Sequence, residues 1–123
     1  MTGYAATQQA MLLLGYTTPE GETDPQQHAE QWRMALPALQ TVLADIRHLT
    51  RSASPLPENL AEELAVTEEV AHRVVVPGLA MHLARITGDG NGYNHFAREY
   101  TARRSGVARE SRRVTDVIPV PSA

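Results

Sequence analysis

Between Trp32 and Leu49 the apolar side chains Trp32, Leu36, Leu39, Leu43, Ile46 and Leu49, joined by Ala35 and Val42, recur at steps of three and four. That spacing lays them along one face of an α-helix. A helix with so long an apolar face needs other surfaces to cover it, and this requirement constrains everything else in the chain. Asp24, Pro25 and Gln27 form its start signal, because Asp caps, Pro fits the first helical position and Gln completes a capping box. A helix over residues 25–49 is predicted. Pro37 removes one backbone hydrogen bond and crowds the preceding turn, which predicts a kink over Arg33 to Pro37 with helix continuing beyond it.

The covering surfaces also read as helices. Aromatic residues make up only 5% of the chain, with Trp32 and Phe96 the sole members of their types, so the core is built from Leu, Val, Ala and Met. A helix over 3–14 is predicted, with Thr2 as N-cap, Gly15 as the left-handed terminator, and an apolar side of Met11, Leu12, Leu14, Tyr4 and Ala5. YTTPEGET and TRSASPLP are irregular by their Pro, Gly, Ser and Thr content. A helical turn in ENLAEELAV and an extended Leu64 to Val66 follow. Thr67 caps a helix over 68–87, with Glu68 and Glu69 at its positive end. Its apolar residues point to more than one face, so it is expected to be the most buried, bent at Pro77 and Gly78. GDGNG is a turn, and Asn91 is expected to cap a last helix over 92–109. The final VTDVIPVPSA alternates β-formers with two prolines and is expected to be extended. The fold expected is thus all-α: a small four-helix bundle-like domain over 1–113 and an extended C-terminal arm over 114–123.

Several chemistries find no support in the sequence. No cysteine is present, so disulfides, thiolate metal sites and thiol catalysis are excluded. The first residues carry no basic leader, and their apolar run is far shorter than the roughly 20 residues that cross a bilayer. A soluble, cytosolic protein without membrane contact is expected. GDGNG fails as a calcium loop because Tyr100 stands where the closing acidic ligand belongs. No phosphate-binding glycine loop is present. The five histidines include no HExxH and no pair at one-turn spacing, and His82 reads as a buried, hydrogen-bonded or interface residue. Glu62, Glu63, Glu68 and Glu69 are explained by helix capping and the helix dipole. No catalytic residue, metal or cofactor is expected, and the chain reads as no enzyme.

The charge distribution points to surfaces instead. The net charge of −3 conceals an asymmetry: Arg98, Arg103, Arg104, Arg109, Arg112 and Arg113 lie late and most acidic residues early. A polarised molecule can stack head to tail with its own copies or dock on an acidic partner. On a helical wheel Tyr93, Phe96, Tyr100 and Val107 share one side, with Arg98 and Arg109 nearly opposite, joined by Arg112 and Arg113 if the helix persists. The arginine face has three readings: solvated charge, a protein-docking surface of carboxylate-binding forks, or nucleic-acid contact. Overall acidity, absence of Lys and lack of an interleaved aromatic platform weigh against the third. In the tail, Val114, Val117, Ile118, Pro119 and Val120 are too apolar for a solvated terminus and suit docking in a groove or on a sheet edge of another chain.

From AMLLLGYTTPEGE through ALPALQTVLADI and SPLPENL to VPGLAMHLARITGDGNGYNHFAREYTARR, the chain resembles the small helical head-to-tail connector, or neck adaptor, proteins of tailed bacteriophages. The matching pattern is a PxGLAxxLA helix, a GDG-like turn and an FAxxYxxxR helix. It falls on Pro77, Gly78, Leu79, Ala80, Leu83, Ala84, Gly88, Asp89, Gly90, Phe96, Ala97, Tyr100 and Arg104. The tail is the least family-like part. The resemblance implies a structural virion protein of the neck, made in the host cytoplasm. Its copies form a ring, commonly a dodecamer, below the portal protein. That ring extends the channel for packaged DNA, without sequence-specific binding, and docks a stopper or tail-completion protein. The arginines named above and Val114 to Val120 would then face the portal or a neighbouring subunit. Two alternatives stand beside it: a stopper or tail-completion protein, and a small DNA-binding regulator using the arginine helix.

Overall fold

A computed structural model describes residues 1–17, 20, 22–23, 26 and 28–117, with side chains through residue 110. Four helices make up the fold: α1 (Gly3–Leu14), α2 (Ala29–Thr50), a composite α3 and α4 (Gly90–Val117). The composite α3 runs without a break through Glu68–Val70, a π-helical Ala71–Val75 and Val76–Thr87. Among the described residues there is no strand, only an isolated antiparallel bridge between Thr2 and Glu63. The expected all-α, four-helix architecture is what the chain adopts.

The helix ends follow local chemistry. Thr2 Oγ1 accepts from the Ala5 N–H and Gly15 closes α1 at φ 76°. The amides of Gly3 and Tyr4, orphans of the first turn, donate to the carbonyls of Glu62 (3.2 Å) and Leu60 (2.7 Å). The N-terminus is thereby tied to the segment that leads into α3. Thr67 Oγ1 accepts from Val70 at 3.2 Å, the predicted cap of α3. Between α3 and α4 the connection shrinks to two residues. Gly88 takes the left-handed conformation (φ 74°) that only glycine adopts without strain, and Asp89 caps α4 by accepting from Gly92 at 2.9 Å. Asp89, not Asn91, is therefore the cap, since α4 starts earlier than the expected 92.

Three further expectations are corrected. Helix α2 begins at Ala29, not 25; Asp24, Pro25 and Gln27 lie outside the described residues. His28, at φ −121° and ψ 47°, stands outside the helix, its ring stacked on Tyr16 with centroids 5.4 Å apart. In α1 the buried face is Ala6, Thr7, Ala10 and Met11, whereas Tyr4, Leu12 and Leu13 are exposed. Small residues win because α1 lies close on its neighbours: a Cβ on Gly3 would stand 2.9 Å from Leu39 Cδ2. Finally, α4 continues through Val117, so residues 114–117 are helical, not extended. Extending an existing helix by one β-branched residue costs only tenths of a kcal/mol, about 0.5. Ile118, Pro119 and Val120 lie outside the described residues.

Helix α3 is the centre of the core. Val74 through Ala80 are all buried, as are Leu83 and Ala84, and they pack against Met11, Leu39, Val42, Phe96 and Tyr100. In α2 both Arg33 and Pro37 are exposed, so the position where Pro37 removes a helical N–H lies on the outer side of the helix.

Candidate interaction surface

One polar cluster joins α2 and α4. The Arg104 guanidinium grips Asp45 bidentately, Nε to Oδ2 at 2.6 Å and Nη2 to Oδ1 at 2.8 Å. Tyr100 donates its hydroxyl to the same Oδ2 at 2.6 Å. Tyr100 is 8% exposed, and its ring lies over Gly78 of α3. The Arg104 fork holds the Asp45 carboxyl below the usual carboxylate range, with the Tyr100 hydrogen bond adding to the effect against burial. Burial first, then the bond to Asp45, pushes the Tyr100 phenol up. Asp45 keeps its charge and Tyr100 its proton across the whole neutral range. Such a cluster fixes α4 on α2; it has no group poised to exchange a proton near neutrality.

A second arginine repairs the backbone of α3. In an α-helix the Arg73 carbonyl would accept from residue 77, but Pro77 has no N–H. The preceding turn widens into π register, with the Val76 N–H donating to the Ala71 carbonyl five residues back. Arg103 of α4 then donates from Nη1 to the Arg73 carbonyl at 3.1 Å, and its Nη2 lies 3.6 Å from Glu99. Two of the arginines expected at an interface with another chain, Arg103 and Arg104, are thus engaged within the fold. Arg98 and Arg109 are exposed and form no ion pair among the described residues. Arg112, Arg113, Val114 and Val117 continue the helix, their side chains outside the described set.

Arg103 also separates two open grooves. One, of about 440 Å³, runs past the exposed Leu12 and Leu13 with His72, Val76 and Pro77. The other, of about 730 Å³, has Val70, Val74, Gly106 and Val107 along it, with Glu69, Arg73 and Glu110 among its polar neighbours. A third hollow beside Leu43 and Pro55 measures about 30 Å³, room for a water at most. No group of three His, Asp or Glu that could hold a metal occurs among the described residues. No described helix is long and apolar enough to cross a membrane. His82 is half-buried, and desolvation, then Arg85, lowers its pKa. His72 contacts Gln9 and Glu68, and His95 contacts Glu99.

Asp45 is the residue that sequence reasoning missed. Its signal is visible: it is an acidic side chain three positions after Val42 and four before Leu49, within the apolar face of α2. A charge on such a stripe needs a partner, and Arg104 supplies one. No family model matches the chain, and neither a curated protein nor a solved structure matches it.

Proposed function

We propose that the chain is a head-to-tail connector of a tailed bacteriophage, an assembly protein that performs no chemistry. One observation carries the reading. Three residues of the family-like pattern, Gly78, Tyr100 and Arg104, meet in one place: Tyr100 packs on Gly78, and Tyr100 and Arg104 share Asp45. That meeting supports the reading. In this reading α1 to α3 are the scaffold and α4 carries the contact surface through exposed Arg98 and Arg109 toward the basic end. Copies make heterologous contacts that close into a ring below the portal, commonly twelve-fold, and the ring passes DNA without reading it. The stopper or tail-completion reading ranks lower because those proteins resemble β-rich folds more often.

The test is electron microscopy of the protein mixed with portal-containing heads. Added ring density below the portal is expected, lost in an Arg98→Glu, Arg109→Glu double variant that remains folded. A protein that never associates with the portal ends the proposal. Exposed Arg98 and Arg109 favour DNA contact as the second reading. Binding to duplex DNA that falls steeply with added salt, with no portal association, would select it.

A further inference from the structure

Helix α1 is the one helix without a charge. Its residues, Gly3–Leu14, read GYAATQQAMLLL, whereas α2, α3 and α4 each carry acidic and basic side chains. Ala6, Thr7, Ala10 and Met11 turn into the core, which leaves Tyr4, Ala5, Gln8, Gln9, Leu12 and Leu13 on the outer side. Among the described residues four large apolar side chains stand exposed, and three of them are here: Tyr4 at 43%, Leu12 at 50% and Leu13 at 53%. The solvated face of a helix ordinarily carries charge. Apolar side chains gathered on one face mark a contact surface instead.

The face also has an order. From Tyr4 to Leu13 it runs apolar pair, amide pair, apolar pair at four-residue intervals, so its polarity reads the same from either end. Such a surface is complementary to its own copy turned end for end, which is what an isologous contact requires. The amides suit the centre, because each has a carbonyl to accept and an N–H₂ to donate. Gln9 gives its oxygen to His72 Nδ1 at 3.1 Å, and its nitrogen remains to donate. At the leucine end the face opens into the smaller groove, where Val76 and Pro77 are buried apolar neighbours. The two charges of that groove, Glu99 and Arg103, lie 3.6 Å apart and pair with each other. Copies of a chain with net charge −3 repel least across a face that has no charge of its own.

We propose that α1 pairs with α1 of a second copy, antiparallel, about a two-fold axis passing between Gln8 and Gln9. Tyr4 and Ala5 of one copy then lie over Leu12 and Leu13 of the other, and the reverse, with the amides meeting at the axis. The antiparallel sense sets the positive end of each helix beside the negative end of the other. Helix α1 is only about 18 Å long, so the contact is at the small end of protein interfaces and pairing is weak, with a Kd on the order of 100 µM. The contact uses neither Arg98 nor Arg109 and needs no portal, so it and the connector reading can fail separately.

Sedimentation equilibrium on the full chain tests it. Between roughly 10 µM and 1 mM the mass is expected to rise from 13.5 kDa toward twice that value. Gln8→Glu and Gln8→Arg each set like charges at the axis and are expected to weaken pairing about tenfold or more, with unchanged helical circular dichroism. An equimolar mixture of the two is expected to pair again, since opposite charges then meet. Leu12→Gln, which removes apolar contact alone, is expected to weaken pairing similarly. The chain has no cysteine, so cross-linking reads the register: an Ala5→Cys chain is expected to bond to a Leu12→Cys chain and not to its own copy. A wild-type chain that stays monomeric at about 1 mM overturns the proposal. So do Gln8 variants that pair as wild type does, a mixture that fails to recover, or Ala5→Cys chains that link to each other.

Discussion

The ring of Tyr100 lies so close over Gly78 that a Cβ at position 78 would stand 2.8 Å from Cδ2 and Cε2 of the ring, and 3.1 Å from Val42 Cγ2. Gly78→Ala should therefore destabilise the protein by about 1–2 kcal/mol, overpacking outweighing the gain in helix propensity. Chemical denaturation measures it, and in a Tyr100→Ala background the same Gly78→Ala change should cost much less. A Gly78→Ala protein as stable as wild type would show that α3 and α4 adjust without strain.

Acid should unfold the protein through two groups whose folded pKa values are depressed, His82 by burial and Asp45 by Arg104. For both, the stabilisation is fully present above the unfolded pKa and is lost as pH falls through the folded value. Stability should thus decline below about pH 6.5 and again below about pH 4. His82→Gln should flatten the first decline and Asp45→Asn the second, each read from denaturation midpoints across pH. Arg85 and Arg104 are the charges that enter the respective shifts.

Arg103 and Pro77 should be energetically coupled. Arg103→Met removes the donor to the Arg73 carbonyl and should cost about 0.5–1.5 kcal/mol with Pro77 in place. In a Pro77→Ala background, where a backbone N–H becomes available, the same change should cost less. A double-mutant cycle with no coupling would separate the two residues.

The reoriented face of α1 gives a sharp contrast between neighbours. Met11 is fully buried and Leu13 is 53% exposed. Met11→Ala should cost about 2–5 kcal/mol, and Leu13→Gln should stay within about 0.5 kcal/mol. Equal losses would show that Leu13 is covered in the folded protein.

Periodicity and capping chemistry carried most of the fold. The seam from Trp32 to Leu49, Thr2 and Thr67 as caps, and the buried character of the helix around Val75 were legible because each depends on residues near one another in sequence. The failures depend on distant partners. The face of α1 is set by how closely Leu39 and Leu60 approach Gly3, and no local pattern encodes that. Arg103 and Arg104 were expected at an interface, because nothing near them in sequence reveals Asp45 or an orphaned carbonyl on another helix. Val114 and Val117 looked like strand formers because β-propensity was weighed without the helix already running beneath them.

The π turn at Ala71–Val75 amounts to one residue inserted into a helix. Each added residue rotates all that precedes it by about 100° around the axis, so Glu68, Glu69 and Val70 are aimed by this insertion and not by the register of Val76–Thr87. Excising a single residue there would leave the core half of α3 in place while swinging the acidic first turn to another side of the molecule. A one-residue length change, silent in composition and charge, would relocate a surface.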